Sequence, residues 1–143
     1  MSGLRPALAV ASEVAPLVKT GGLADVVGAL PAALATQGWA LRTLVPGYRP
    51  VMAALKKPKS VLEISSLLGT PARLMAAQVA GLDLLILDAP ALFDRSGSPY
   101  LNAEGRDWPD NDRRFAALSK AAALVAGGAV SGMAAGLAVW GYT

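Results

Sequence analysis

One run near the N-terminus constrains this chain more than any other. Residues 8–11 are continuously apolar, a loop carrying Lys19, Gly21 and Gly22 follows, and from residue 22 the apolar positions recur at helical spacing. A buried strand that passes through a glycine-bearing loop straight into a helix is the opening unit of an α/β domain. That geometry gathers backbone N–H groups and the positive end of a helix dipole at one point, which suits an anion. Lys19 adds a mobile positive charge beside it, so the chemistry points to a phosphate-bearing ligand. The run is neither a GxGxxG fingerprint nor a Walker A loop. Two adjacent glycines also serve an ordinary strand-to-helix turn.

The rest of the chain extends this pattern. Residues 4–11 read as a buried strand whose start is restricted by Pro6. Residues 22–37 read as a helix with Leu23, Val26, Val27, Leu30 and Leu34 on one face. Pro31 lies inside it and should kink or split it, and Gly38 suits its C-terminal cap. Residues 41–45 form a second strand closed by Pro46-Gly47, which gives a parallel strand-helix-strand unit with a right-handed crossover. One helical turn is expected over residues 51–55. Two strands, 60–68 and 72–79, are joined by a turn at Gly69-Thr70-Pro71. Residues 82–87 are almost wholly apolar and suit a central strand buried on both faces. A long loop rich in Pro, Gly, Asp and Ser then runs over residues 88–111. Residues 112–126 return to helical spacing, with Phe115, Leu118, Ala122 and Val125 on one side and Asp110 or Asn111 as the cap. The expected fold is α/β, a Rossmann-like, mostly parallel sheet with helices on both faces. Loops after the first strand and after residues 82–87 should open at the same edge, where such sheets bind ligands.

Composition sets bounds on this reading. A chain of 143 residues fits one domain that buries roughly 70% of its unfolded surface. The apolar fraction of 54% and mean hydropathy of +0.45 are high for a water-facing domain, and alanine supplies much of both. Residues 121–140 hold no charge over a spanning length, with Gly128, Gly132 and Gly136 spaced by four. Their Ala and Gly content inserts weakly into a bilayer, and Gly127-Gly128 reads as a helix stop. A helix followed by a second short, closely packed helix is therefore expected rather than a membrane span. Lys56, Lys57 and Lys59 have no interleaved aromatics and read as a solvated loop, not a nucleic-acid patch. With no cysteine and no histidine, disulfides, thiol metal sites and imidazole catalysis from within these residues are excluded. Asp107, Asp110 and Asp112 lack the glycine and distal Glu of a calcium loop. The N-terminus lacks the basic region and long apolar core of a secretory signal.

Two stretches carry a resemblance. The run Ser12-Glu13-Val14-Ala15-Pro16-Leu17-Val18-Lys19-Thr20-Gly21-Gly22-Leu23-Ala24-Asp25-Val26 resembles the Lys-x-Gly-Gly-Leu region of bacterial glycogen synthases and plant starch synthases. Phe93-Asp94-Arg95-Ser96-Gly97-Ser98-Pro99-Tyr100, followed by residues 107–115, resembles a second stretch of the same family, in matching order and spacing. The resemblance covers nearly all of these residues but only the front part of a family member. It implies the N-terminal Rossmann-like part, residues 1–143, of a two-domain GT-B glycosyltransferase, without the C-terminal nucleotide-binding domain. The whole enzyme would transfer glucose from ADP-glucose to the non-reducing end of an α-1,4-glucan, with retention, in the cytoplasm and without a cofactor. Family members continue past the point matching Thr143 into a His-Asp-Trp stretch, so the 143 residues alone are expected to be inactive.

The resemblance assigns substrate-binding roles. Lys19 would contact ADP-glucose, and the backbone at Gly21 and Gly22 would help to hold it. Asp25 would bond its glucosyl hydroxyls, or serve only the helix dipole. Tyr100 would line the donor or glucan cleft, offering a stacking face and a hydroxyl. Glu13 could pair with Lys19 or hold the turn, and the turn is the preferred reading. Asp110 and Asn111 suit capping better than sugar contact. Arg113 and Arg114 suit bracing of the long loop, and Trp108 suits either core or platform. No catalytic residue or metal ligand is assigned. The alternatives are a non-catalytic sugar-nucleotide or glucan-binding module, a gene remnant, or a small membrane-associated protein.

Overall fold

The computed structural model describes residues 3–130 and 137–141. The described strands form one sheet in the order β3-β4-β5-β2-β1-β6. Its parallel half comprises β1 (Arg5–Ala11), β2 (Trp39–Pro46), β5 (Leu82–Asp88) and β6 (Leu137–Gly141). β3 (Lys59–Leu67) and β4 (Thr70–Val79) are antiparallel additions beside β5. Connections of two residues explain this change of direction. Leu68 and Gly69 have φ of 50° and 87°, and Ala80 and Gly81 have 53° and 78°. Two successive positive φ values match the twist of paired strands and close tight hairpins. The first turn is therefore Leu68-Gly69, and Thr70 and Pro71, expected in it, begin β4 instead.

The helices α1 (Gly22–Ala35) and α4 (Asn111–Ala126) cover opposite faces of this sheet. On one face Ala7, Ala9 and Leu41 pack with Leu30 and Leu34 of α1. Small alanines let the helix lie close to the strands. Leu8 and Val10, pointing the other way along β1, join the main core with Phe115, Leu118 and Ala121 of α4. In β5, Leu84, Leu85, Ile86 and Leu87 are all fully buried, as a strand covered on both faces requires. Each such side chain contributes about 1.5–3 kcal/mol of burial. The short helices α2 (Arg49–Ala54) and α3 (Pro90–Phe93) follow β2 and β5 and carry a proline in their first turns.

Several expectations change. Helix α1 runs unsplit through Pro31. Val26 is 61% exposed, while Ala24, not assigned to the apolar face, is buried. The burial stripe is rotated because Ala24 packs under the loop before the helix, its carbonyl accepting from the Ala15 N–H. Neither Asp110 nor Asn111 caps α4 through its side chain. Asp110 accepts from the two terminal guanidinium nitrogens of Arg95, and Asn111 donates to Tyr100 O and accepts from Arg114. Helix α4 stops at Gly127-Gly128 as expected, with Gly128 at φ 92°. The second short helix is not found where it can be checked, since Leu137–Gly141 is a strand paired in parallel with β1. Residues 131–136, the remainder of that expectation, lie outside the described residues. Among the described residues no helix is long and apolar enough to cross a membrane.

Candidate functional site

The parallel strands β1, β2 and β5 end at one edge, and the segments that follow them meet there. Together they line an open cleft of about 270 Å³. Lys19 and Thr20 come from the loop after β1, Tyr48 and Pro50 from the segment after β2, Phe93, Arg95 and Gly97 from that after β5, and Arg114 from α4. Ligands bind beyond the carboxyl ends of such strands because the connecting loops diverge there. The lining carries three cations, Lys19, Arg95 and Arg114, and no carboxylate.

The loop after β1 is built around Glu13, which is fully buried. Its Oε1 accepts the N–H groups of Thr20 and Gly21, each at 3.1 Å. Its Oε2 accepts the hydroxyls of Thr20 and Tyr100, each at 2.6 Å. Tyr100 gives its one proton to Glu13, so Ser12 Oγ, 2.7 Å away, donates to the Tyr100 oxygen. Burial pushes the Glu13 carboxyl up, but the hydrogen bonds from Thr20, Tyr100 and the Gly21 amide outweigh it and hold the group below its ordinary value. The turn-holding reading of Glu13 is the one found. Lys19 pairs with Asp25 instead, Nζ to Oδ2 at 2.8 Å.

The long segment between β5 and α4 is braced by arginines, as expected of Arg114. Its buried guanidinium donates to Leu92 O at 2.7 Å, Pro99 O at 2.9 Å and Asn111 Oδ1 at 2.7 Å. It also faces the rings of Phe93, Phe115 and Trp108. Burial pulls this guanidinium below its ordinary value. Arg95 stacks on Trp108 and grips Asp110 in a two-pronged pair, and that bonding holds the Asp110 carboxyl low. Trp108 is thus a half-buried ring that both guanidinium groups approach. Arg113 bonds Leu68 O and ties α4 to the β3–β4 turn.

Of the residues nominated from sequence, Lys19 reaches the cleft. Asp25 meets it from the first turn of α1, and Gly21 and Gly22 lie exposed at the start of that helix. The Gly21 N–H is already engaged by Glu13, so it is not an open donor. Tyr100 is half-buried, its hydroxyl turned inward to Glu13 and its ring tilted on Phe115 at 5.8 Å. The cleft residues Arg95 and Thr20 had no role assigned from sequence. Arg114 carried a legible signal: it occupies the buried helical stripe shared by Leu118, Ala121 and Val125, where a charge requires partners.

Residues 7–134 match the family model of the starch synthase catalytic domain. The chain belongs to that family. A glycogen synthase of Mesorhizobium japonicum is 61% identical over 125 residues, covering 87% of this chain and 26% of that protein. Glycogen synthase 1 of Rhizobium meliloti is 63% identical over 123 residues, covering 86% of this chain and 26% of that protein. Among solved structures, the catalytic domain of starch synthase IV from Arabidopsis thaliana, bound to ADP and acarbose, superposes with a TM-score of 0.60 and 25% identity, over 83% of this chain and 24% of that one. The chain therefore spans about a quarter of the length of the curated relatives it matches. The matched stretch includes every residue that lines the cleft, among them those of residues 12–26 and 93–100.

Proposed function

We propose that these residues form the N-terminal Rossmann-like part of a glycogen or starch synthase. The whole enzyme would transfer glucose from ADP-glucose to the non-reducing end of an α-1,4-glucan, with retention of configuration. The observation that carries the reading is the convergence of two segments of a starch synthase catalytic domain on one cleft at the carboxyl edge of the sheet, where Lys19, exposed and paired with Asp25, can meet a ligand. Such a cleft fits a nucleoside diphosphate sugar, whose diphosphate gathers charge as the glucosyl bond breaks. That the Arabidopsis relative was solved with ADP and acarbose, a nucleotide and a sugar-like ligand, agrees with this chemistry.

In this proposal Lys19 binds the donor diphosphate as a point charge. The open backbone at Gly22 lets the donor approach the start of α1. Asp25 bonds glucosyl hydroxyls, and Tyr100 borders the sugar path with the part of its ring left exposed. Arg114 and Arg95 hold the wall formed by residues 93–100. No residue here is given the chemical step, so the 143 residues bind without transferring glucose.

Titration of ADP-glucose into the purified chain tests this directly. Saturable binding that Lys19→Ala weakens about tenfold or more, roughly the 1.4 kcal/mol of one charge-assisted contact, is expected. A parallel assay for glucan elongation should give none. Binding unaffected by Lys19→Ala would take the donor away from this cleft, and elongation by the chain alone would overturn the division of labour.

A further inference from the structure

The glycine loop carries its own anion. The Glu13 carboxylate is buried between the end of β1 and the start of α1, and its Oε1 accepts the Thr20 and Gly21 amides. Those are the donors that a bound phosphate would use in a glycine-loop cradle. The same carboxylate accepts, through Oε2, the Tyr100 hydroxyl from a segment 87 positions away in sequence. One side chain thus closes the loop after β1 on itself and joins it to the loop after β5.

We propose that Glu13 is a positioning residue, which fixes the Lys19 loop and the Tyr100 segment relative to each other and fills the amide cradle with an internal carboxylate. The donor diphosphate then meets side-chain cations, Lys19 first, rather than the Thr20 and Gly21 amides. Only the identity of what the two loops hold rests on the functional reading above; the link itself stands on the geometry. Three hydrogen bonds donated by one loop and one by the other leave neither free to move alone. A shift of Tyr100 unbalances the carboxylate, and the freed carboxylate loosens Thr20 and Gly21.

Shape, rather than charge, is what this role needs, and that gives a sharp test. In Glu13→Gln the amide oxygen can keep the Thr20 and Gly21 N–H groups. The amide nitrogen can donate to the Thr20 and Tyr100 hydroxyls, because hydroxyls accept as well as donate. Tyr100 then donates to Ser12. Glu13→Ala removes every contact of the carboxylate but leaves the Ser12–Tyr100 bond, and Tyr100→Phe removes both bonds that join the loops while keeping those to Thr20 and Gly21.

Hydrogen exchange, read amide by amide in the ligand-free chain, separates these cases. Exchange at Thr20 and Gly21 should quicken about tenfold or more in Glu13→Ala and several-fold in Tyr100→Phe, while Glu13→Gln stays within about threefold of the parent. Amides of Leu84 and Leu85 report whether the sheet is intact. Should Glu13→Ala fail to fold, Tyr100→Phe and Glu13→Gln still decide. Unchanged exchange at Thr20 and Gly21 in Tyr100→Phe overturns the proposal, and so does damage in Glu13→Gln equal to that in Glu13→Ala. ADP-glucose titration gives a second readout: Glu13→Gln should bind as the parent does, and Tyr100→Phe more weakly. A parent chain that binds no ADP-glucose sinks the functional reading, and the exchange rates still decide the link between the loops.

Discussion

Lys19 Nζ lies 2.8 Å from Asp25 Oδ2, so the two charged residues nominated for ligand contact hold each other at the start of α1. Their side chains are 53% and 56% exposed, and an ion pair so open to water contributes at most about 1 kcal/mol of stability. Its consequence lies in binding. An anion that takes Lys19 must displace Asp25, and the freed carboxylate then faces whatever the anion carries. Asp25→Asn should leave the melting temperature nearly unchanged. It should tighten ADP about threefold, the equivalent of roughly 0.7 kcal/mol, and weaken ADP-glucose. Calorimetric titration of both ligands checks this. Equal shifts for the two would deny Asp25 a sugar contact.

Arg114 is a structural cation inside the cleft wall. Its removal strands the carbonyls of Leu92 and Pro99 and the Asn111 side chain, all at hydrogen-bonding distance now. Arg114→Met keeps much of the apolar packing but none of the bonds, and should cost about 2–5 kcal/mol. Urea unfolding measures it. Arg114→Lys keeps the charge but not the planar fork, and should recover only part of the loss. Full recovery by lysine would show that charge alone holds the wall.

Acid should weaken the fold through Glu13. Its carboxyl sits below the ordinary value of 4.5 in the folded state, so the stability it contributes is complete above about pH 4.5 and is lost as pH falls through the folded value. Asp110, held low by Arg95 from an ordinary 3.8, acts in the same direction at somewhat lower pH. The urea midpoint should therefore fall between pH 5 and pH 3, and fall less in Glu13→Gln, which has no proton to take up there. An equally steep fall in that variant would place the acid sensitivity elsewhere.

The alternation of apolar runs made β1, β2 and β5 of the parallel half and both long helices legible. β5 was the clearest, since a strand buried on both faces must be apolar throughout. Val26 misled because an apolar residue on a helix surface leaves the same mark as one in the core, and only the packing of Ala24 under Ala15 fixes the helix rotation. The strand Leu137–Gly141 was hidden because five residues of mixed Leu, Ala, Val, Trp and Gly carry no decisive period. At the site, Lys19 stood out by charge and place. The role of Glu13 was only half visible: a carboxylate beside a glycine loop suggests a turn, but its bond to Tyr100 joins segments that no local pattern connects.

Gly28 offers a case in which two rules predict opposite signs. It lies inside α1, where replacing glycine by alanine ordinarily stabilises a helix by about 1 kcal/mol. A Cβ at this position, however, would stand 2.5 Å from the carbonyl oxygen of Ala15, in the loop that leads to Lys19. That contact is with backbone held by the Ala15–Ala24 hydrogen bond, so it cannot rotate away. Overpacking of this kind costs about 1–3 kcal/mol or more and outweighs the propensity gain. Gly28→Ala should therefore lower the urea midpoint and disturb the loop, seen as faster exchange at the Ala24 end of α1. Gly22, at the first position of the same helix, has nothing within 4 Å of a Cβ, and Gly22→Ala should be neutral or slightly stabilising. If both variants are stabilised alike, helix propensity governs α1, and the close approach of Ala15 does not hold the Lys19 loop in place.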